Sequence, residues 1–129
     1  MIVIDASALV ELLLGGTPRA ARLATRVRGQ TLHAPHLIDL ETISVVRSLE
    51  ARGLASTLAV QAITDLVAVA MTRYPHDVLV RRIWQLRANL TVYDACYVAL
   101  AEALSAPLIT CDARLANAPG NRASIELFA

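Results

Sequence analysis

Short apolar runs alternate along this chain with longer segments whose apolar residues recur at helical spacing. The first run, Met1–Ile4, is apolar at every position and rich in β-branched residues, which is typical of a strand buried on both faces. The same reasoning predicts strands at 31–34, 107–110 and 124–128. Residues 67–73 fit either another strand or a continuation of the preceding helix.

Helices are predicted between these runs, and their ends coincide with capping residues, glycines and prolines. Ser7 is the expected N-cap of the first helix, Pro18 begins the second and Gly53 ends the third. The predicted helices span 8–14, 18–29, 36–52, 56 to the mid-60s, 77–88, 92–105 and 113–117. Strands that alternate with helices indicate an α/β fold, with a mainly parallel sheet covered on both faces.

Length and hydropathy narrow the class of protein. The 129 residues suit one domain, predicted to span 1–129, because domains most often contain about 100–150 residues. Hydrophobic residues make up 56% of the chain, which excludes intrinsic disorder. The longest uncharged helical stretch, Gly53–Thr64, is far shorter than the roughly 20 residues of a membrane span. Asp5 stands where a signal peptide would be apolar, so we expect a cytoplasmic protein without a membrane segment.

The charged residues and cysteines exclude several mechanisms. Every basic residue is an arginine, so chemistry that requires a lysine, such as that of a phosphate-accepting receiver domain, is not available. A net charge of +1 and 4% aromatic residues give no strong footprint for nucleic acid. Cys96 and Cys111 are too few for a disulfide framework and lack the spacing of a zinc site.

Two other patterns are expected to be structural. His33 and His36 have a spacing found among metal ligands, but Pro35 lies between them and no third ligand is near. Trp84 and Tyr97 are expected in the core or at a dimer interface rather than as a base-stacking pair.

Two aspartates follow predicted strands. Asp5 comes directly after 1–4, and Asp112 lies just beyond 107–110. Ligands bind to open parallel sheets at the carboxyl ends of the strands. If the two strands are neighbours, their ends are about 5 Å apart and the two carboxylates can converge.

Two further acids lie on apolar helix faces. Glu41 has Leu37, Ile38 and Val45 as its helical neighbours, and Asp94 is flanked in the same way by Leu90, Tyr97 and Val98. Inward carboxylates are costly unless they are paired, hydrogen-bonded or bound to metal. We therefore expect these four acids to meet around a divalent cation, and Mg²⁺ or Mn²⁺ suits oxygen ligands.

Each acid also has a purely structural interpretation. Asp112 could cap the short helix after it, and Asp94 could complete a capping box with Thr91. Glu41 lies near a helix start, where the helix dipole favours anions, and Asp5 could bond the next turn. Four independent caps rarely fall in this arrangement, so we favour one shared site.

The chain resembles the PIN-domain family, and within it the ribonuclease toxins of VapBC toxin–antitoxin systems. The resemblance rests on Ile2-Val-Ile-Asp5-Ala-Ser-Ala-Leu, on Glu41 in a helix after a short strand, on Leu90-Thr-Val-Tyr-Asp94-Ala-Cys-Tyr-Val-Ala-Leu-Ala-Glu102, and on Leu108-Ile-Thr110-Cys-Asp112-Ala-Arg-Leu. It covers nearly the whole chain. It implies a three-layer sandwich whose five-stranded sheet has the order 3-2-1-4-5.

The resemblance also implies an activity and its partners. The activity would be an endoribonuclease dependent on Mg²⁺ or Mn²⁺, with Asp5, Glu41, Asp94 and Asp112 as its acids and Thr110 as a site hydroxyl. Asp39 and Glu50 remain alternatives to Glu41, and Ser7 is a weaker candidate beside the acids. The implied partners are RNA, a cognate VapB-like antitoxin whose C-terminal segment covers the site, and a second copy of the chain.

Two alternative functions stay open at this point. One is a non-catalytic PIN-like module that dimerises and binds a protein or RNA, and the other is a metal-dependent nuclease acting on DNA. The candidate phosphate contacts are all arginines: Arg19, Arg22, Arg26, Arg28, Arg81, Arg82 and Arg87.

Overall fold

A computed structural model describes residues 1–129 and has a five-stranded, fully parallel sheet at its centre. The strands lie in the order β3-β2-β1-β4-β5, as predicted. Their bounds are Ile2–Ile4 for β1, Leu32–Pro35 for β2, Met71–Tyr74 for β3, Leu108–Thr110 for β4 and Ile125–Leu127 for β5. The order 3-2-1-4-5 puts β1 beside β4, which is the adjacency that brings their carboxyl ends together.

Seven α-helices and one 3₁₀ turn connect the strands. The helices are Ala6–Leu14 (α1), Pro18–Val27 (α2), Leu37–Ala51 (α3), Ser56–Ala68 (α4), Val80–Gln85 (α5), Val92–Leu104 (α6) and Ala113–Ala116 (α7), and the 3₁₀ turn is Asp77–Leu79. Helices α2, α3 and α4 all pack against α1, whereas α6 packs against β1, β2 and β4. The α/β prediction, with helices on both faces of the sheet, is confirmed.

The core follows directly from the most apolar segments of the chain. All residues of β1 and β4 are fully buried, because helices cover both faces of the central strands. In α6, seven consecutive residues, Ala95–Ala101, are buried. Three of them are alanines, whose small side chains let this helix lie close to the sheet.

Three details differ from the sequence prediction. The N-cap of α1 is Asp5 and not Ser7, since the Asp5 carboxylate accepts the backbone N–H of Ala8 at 2.9 Å. The ambiguous segment 67–73 is divided, because α4 ends at Ala68 and β3 begins at Met71. The helix predicted over 77–88 is a 3₁₀ turn followed by the short helix α5.

Several other side chains are located by the fold. Tyr97 is 1% exposed and belongs to the core, but Trp84 is 64% exposed and lies outside it. His33 is buried in β2, where its ring bonds the hydroxyls of Tyr74 at 2.7 Å and Thr31 at 2.9 Å, so its role is structural. No helix of this chain combines the length and the apolar character needed to cross a bilayer.

Candidate active site

The site begins where β1 and β4 end side by side. Ile4 pairs with Ile109 in the sheet, so Asp5, the next residue after β1, lies beside Thr110, the last residue of β4. The Thr110 hydroxyl donates a hydrogen bond of 2.5 Å to Oδ2 of Asp5. The register of two buried strands therefore positions the first carboxylate and a hydroxyl next to each other.

Asp5 is held by donors on both of its oxygens. While Thr110 bonds Oδ2, the other oxygen, Oδ1, accepts the Ser7 hydroxyl at 2.7 Å and the Ala8 N–H at 2.9 Å. The side chain is only 5% exposed. Its orientation is thus fixed by the first turn of α1 and by β4.

Ser7 and Thr110 also tie the two strand ends together. The Ser7 oxygen accepts the backbone N–H of Cys111 at 2.9 Å, and the Thr110 oxygen accepts the N–H of Asp112 at 2.9 Å. Ser7 therefore has a larger part in the site than its sequence suggested. Its position two residues after Asp5 was the available signal, but its bond to Cys111 depends on β1 lying beside β4.

Asp94 and Glu41 reach the same edge from two helices. Asp94 lies in the first turn of α6, Glu41 lies one turn into α3, and both are half-buried. Burial is the main factor that raises the pKa of Glu41, and the negative charges of Asp94 and Asp5 raise it further. Burial likewise raises the pKa of Asp94, and the charge of Asp112 adds to it.

The pKa of Asp5 is raised as well, mainly by burial and least by the charge of Asp94, although its three hydrogen bonds oppose the rise. The four acids are therefore linked through their charges: Asp94 acts on Asp5, Asp94 and Asp5 act on Glu41, and Asp112 acts on Asp94. Burial, more than mutual repulsion, makes the charged forms unfavourable.

The structural interpretations of the acids are correct in part and coexist with the site. Asp112 caps α7 by accepting the N–H of Arg114 at 2.9 Å, and the Thr91 hydroxyl caps α6 by accepting the N–H of Asp94 at 3.1 Å. The carboxylate of Asp112 forms its cap directly, whereas Asp94 takes part in the other cap only through its backbone N–H.

The two alternatives to Glu41 lie elsewhere. Asp39 accepts three hydrogen bonds of 2.8–3.0 Å from Arg73 of β3, so its carboxylate is already neutralised. Glu50 is exposed near the far end of α3. The negative charges of Asp94 and Asp5 act on Glu41, which favours Glu41 as the fourth acid.

Most other buried or half-buried acids have an arginine partner, and the site acids do not. Four ion pairs of 2.8 Å join Glu11 to Arg19, Glu126 to Arg26, Asp39 to Arg73 and Glu102 to Arg82. Asp5, Glu41 and Asp94 have no such partner, and Asp112 has only Arg114 at 3.7 Å. Half-buried carboxylates without a counter-charge are costly, so the site favours a cation or a proton.

The donor chemistry of the site fits a hard divalent ion, although the side chains are not closed around one. No three histidine, cysteine or acidic side chains lie close enough together to hold a metal ion as they stand, so the tight convergence expected from the sequence is not observed. Mg²⁺ does not need such a cage, because it keeps several waters and binds through one or two carboxylates together with substrate phosphates.

A buried hydroxyl near Glu41 lacks a partner. The Tyr97 oxygen is inaccessible and makes no hydrogen bond. It nevertheless lies close enough to Glu41 to offset part of the rise in the pKa of that carboxyl that burial causes. The hydroxyl is therefore a further oxygen at this edge whose hydrogen-bonding capacity is unused.

Several predicted phosphate contacts are engaged within the fold. Arg19, Arg26 and Arg82 are bonded to glutamates, and Arg87 lies 4.0 Å over the ring of Trp84. Arg22 donates to the backbone oxygen of Ala129 at 2.6 Å. Arg28 and Arg81 are exposed.

The sequence and the fold match a known class of protein. The sequence profile of the PIN domain matches residues 2–121, so this chain belongs to the PIN-domain family. It is 46% identical over 130 residues to Ribonuclease VapC12 of Mycobacterium tuberculosis (strain ATCC 25618 / H37Rv), with both chains covered in full.

Solved structures show the same fold. VapBC2 from Rickettsia felis, bound to a DNA fragment from its promoter, superposes with a TM-score of 0.70 at 13% identity over the whole of both chains. VapBC-5 from Mycobacterium tuberculosis, a member of the VapBC family of toxin–antitoxin systems, gives a TM-score of 0.59 at 20% identity and covers 98% of this chain and 95% of that one.

Proposed function

We propose that this protein is a metal-dependent endoribonuclease that acts as the toxin of a type II toxin–antitoxin system. One observation carries the proposal: Asp5, Glu41 and Asp94 have no arginine partner and are linked to one another and to Asp112 through their charges. The full-length likeness to a VapC ribonuclease supports the same activity.

In this proposal the acids hold the ion and the hydroxyls hold the acids. Asp5, Asp94 and Asp112 bind Mg²⁺ or Mn²⁺, and Glu41 completes the site directly or through water. Thr110 and Ser7 keep the Asp5 carboxylate in one orientation. When bound, the ion would lower the pKa of a water molecule and neutralise charge on the scissile phosphate. In-line attack by hydroxide on the scissile phosphate would leave a 5′-phosphate and a 3′-hydroxyl.

A cognate VapB-like antitoxin is the proposed regulator. VapBC assemblies share the fold of this chain, and VapBC-5 belongs to a toxin–antitoxin family. We propose that a segment of such an antitoxin covers the acidic edge in the resting state, and that the toxin itself is a homodimer.

The decisive experiment incubates the purified protein with total cellular RNA, with and without Mg²⁺ or Mn²⁺, and maps the cleaved ends. We expect cleavage only with the metal, and its loss in Asp5→Asn and Asp94→Asn. The matched control is Asp77→Asn, an exposed acid outside the site. Circular dichroism spectra of all variants verify that the fold persists.

Three outcomes would contradict the proposal. Metal-dependent cleavage that survives both site substitutions would remove these acids from the mechanism. Preferential digestion of DNA oligonucleotides would favour the deoxyribonuclease. Binding of RNA or a protein partner without any cleavage would favour the non-catalytic module.

A further inference from the structure

Arg114 is the basic side chain that lies at the acidic edge. Its Nε is 3.7 Å from Oδ1 of Asp112. Its positive charge offsets part of the rise in the pKa of Asp94 that burial causes. Its backbone N–H is bound by the Asp112 carboxylate at 2.9 Å. The start of α7 therefore holds the backbone of Arg114 next to the carboxylate of Asp112.

The guanidinium itself is not held in place. It is 94% exposed, and a separation of 3.7 Å is too long for a hydrogen bond. The arginines bonded to Glu11, Glu126, Asp39 and Glu102 differ, because they lie 2.8 Å from their carboxylates and are only 25–38% exposed. A single exposed contact of this kind contributes little to stability, so Arg114 is free to exchange it for another anion.

A substrate of negative charge needs such a group at this place. Four acids at one edge repel a polyanion. No arginine contributes to the pKa shift of Asp5 or of Glu41. Arginine binds phosphate through two parallel N–H donors, a geometry that Arg114 can offer from the rim.

We propose that Arg114 is a positioning residue that binds a backbone phosphate of the RNA next to the scissile bond. The inference rests on the proposed ribonuclease function and adds the contact that places the strand. Arg114 holds the strand against the acids through charge, so its removal weakens binding of RNA and does not weaken binding of the metal ion.

The test compares Arg114→Ala with Arg114→Lys and with the control Arg122→Ala, an exposed arginine beside Ser105 and Ser124. Fluorescence anisotropy with a labelled single-stranded RNA measures affinity at several salt concentrations, in an Asp5→Asn background that suppresses cleavage. Steady-state cleavage kinetics are measured in the otherwise unchanged chain. Titration with Mn²⁺ in the absence of RNA reports on the metal site.

For Arg114→Ala we expect about three- to tenfold weaker RNA binding and a salt slope lower by roughly 0.7, as for one lost phosphate contact on a single strand. KM rises while kcat stays unchanged and the Mn²⁺ affinity does not fall. Arg114→Lys keeps the salt slope but only part of the affinity, and Arg122→Ala behaves like the parent protein.

Two results would overturn the inference: Arg114→Ala that binds RNA like Arg122→Ala, or Arg114→Ala that loses kcat or Mn²⁺ affinity with KM unchanged. A parent protein that cleaves no RNA would defeat the proposed function instead. The binding measurement would still decide whether Arg114 contacts phosphate.

Discussion

At the scale of single residues, the site depends on hydroxyl groups as much as on acids. Thr110 is fully buried, and its one oxygen donates to Asp5 and accepts from the N–H of Asp112. No other side chain touches two site acids in this way. Its removal would leave one carboxylate less firmly held and one backbone N–H without a partner.

Thr110→Val should therefore impair the site and the fold together. We expect a loss of about 1–3 kcal/mol in the free energy of unfolding, because a buried donor is left unsatisfied. We also expect weaker Mn²⁺ binding, since Asp5 can then turn. Urea denaturation and calorimetric titration measure the two effects.

Thr110→Ser is the matched control, because it keeps the hydroxyl and removes only a methyl group. It should retain most of the Mn²⁺ affinity of the parent chain. If Thr110→Val bound Mn²⁺ as tightly as Thr110→Ser, the hydroxyl would have no part in holding Asp5.

Glu41 shows the cost of a half-buried carboxylate without a counter-charge. Its pKa is raised above the ordinary value of 4.5, so the folded protein binds this proton more tightly than the unfolded chain does. The stabilising contribution is complete below about pH 4.5 and is lost as the pH rises through the folded-state pKa. At neutral pH the ionised side chain therefore destabilises the metal-free protein.

Glu41→Gln should for this reason unfold at a higher temperature than the parent at pH 7 without metal, and at the same temperature near pH 4. Thermal unfolding followed by circular dichroism in EDTA measures the difference. Glu50→Gln, on the exposed part of the same helix, is the matched control for the change from a carboxylate to an amide. A Glu41→Gln protein that is less stable at pH 7 would mean that the carboxylate is already compensated.

At the scale of secondary structure, the sequence predicted the elements that carry the site. β1 and β4 are apolar runs bounded by Asp5, Pro107 and Asp112, so both their existence and their ends were visible. β3 was harder to place, because Met71–Tyr74 contains Thr72 and Arg73 and has no apolar alternation of its own. Its partner β2 decides that it is a strand.

The first helix cap shows a second limit. Asp5 and Ser7 are both good N-cap residues, and the choice between them depends on where β1 stops hydrogen bonding to β4. The N–H of Asp5 still bonds the oxygen of Ile109, so the helix can begin only one residue later. Local sequence cannot supply that contact, and for the same reason it could not supply the bond from Ser7 to Cys111.

The pairing of β2 with β3 includes a titratable group. The ring of His33 lies between Tyr74 and Thr31, and burial, followed by the charge of the N-terminus, lowers its pKa below the ordinary 6.5. The neutral ring is therefore favoured in the folded state. Its stabilising contribution is complete above about pH 6.5 and declines as the pH falls below that value.

His33→Gln should remove this part of the acid sensitivity. Between pH 7 and pH 5.5, the free energy of unfolding of the parent should fall more steeply than that of the variant, as measured by urea denaturation. His36→Gln, at an exposed position close by in the chain, is the matched control for the change from histidine to glutamine. Equal slopes for the parent and His33→Gln would mean that the ring titrates alike in both states.

At the scale of the whole molecule, charge and function are linked through the ion. The net charge of +1 includes the four site acids, so one bound divalent ion would bring the protein to about +3, and two would neutralise all four acids and bring it to about +5. A chain that looks nearly neutral by composition therefore becomes a basic protein when loaded. This accounts for the absence of a nucleic-acid signal in the raw composition.

That residues 1–129 form one domain is a prediction with a calorimetric test. If the chain unfolds as a unit, the calorimetric and van't Hoff enthalpies agree, at about 90 kcal/mol near 60 °C for a chain of this length. Adding Mg²⁺ should raise the midpoint of this single transition, because an ion that binds only the folded state stabilises all of it. Two resolved transitions, with the midpoint of only one raised by Mg²⁺, would instead divide the chain into two units. The acids that come from β1, α3, α6 and β4 could then no longer belong to one cooperative structure.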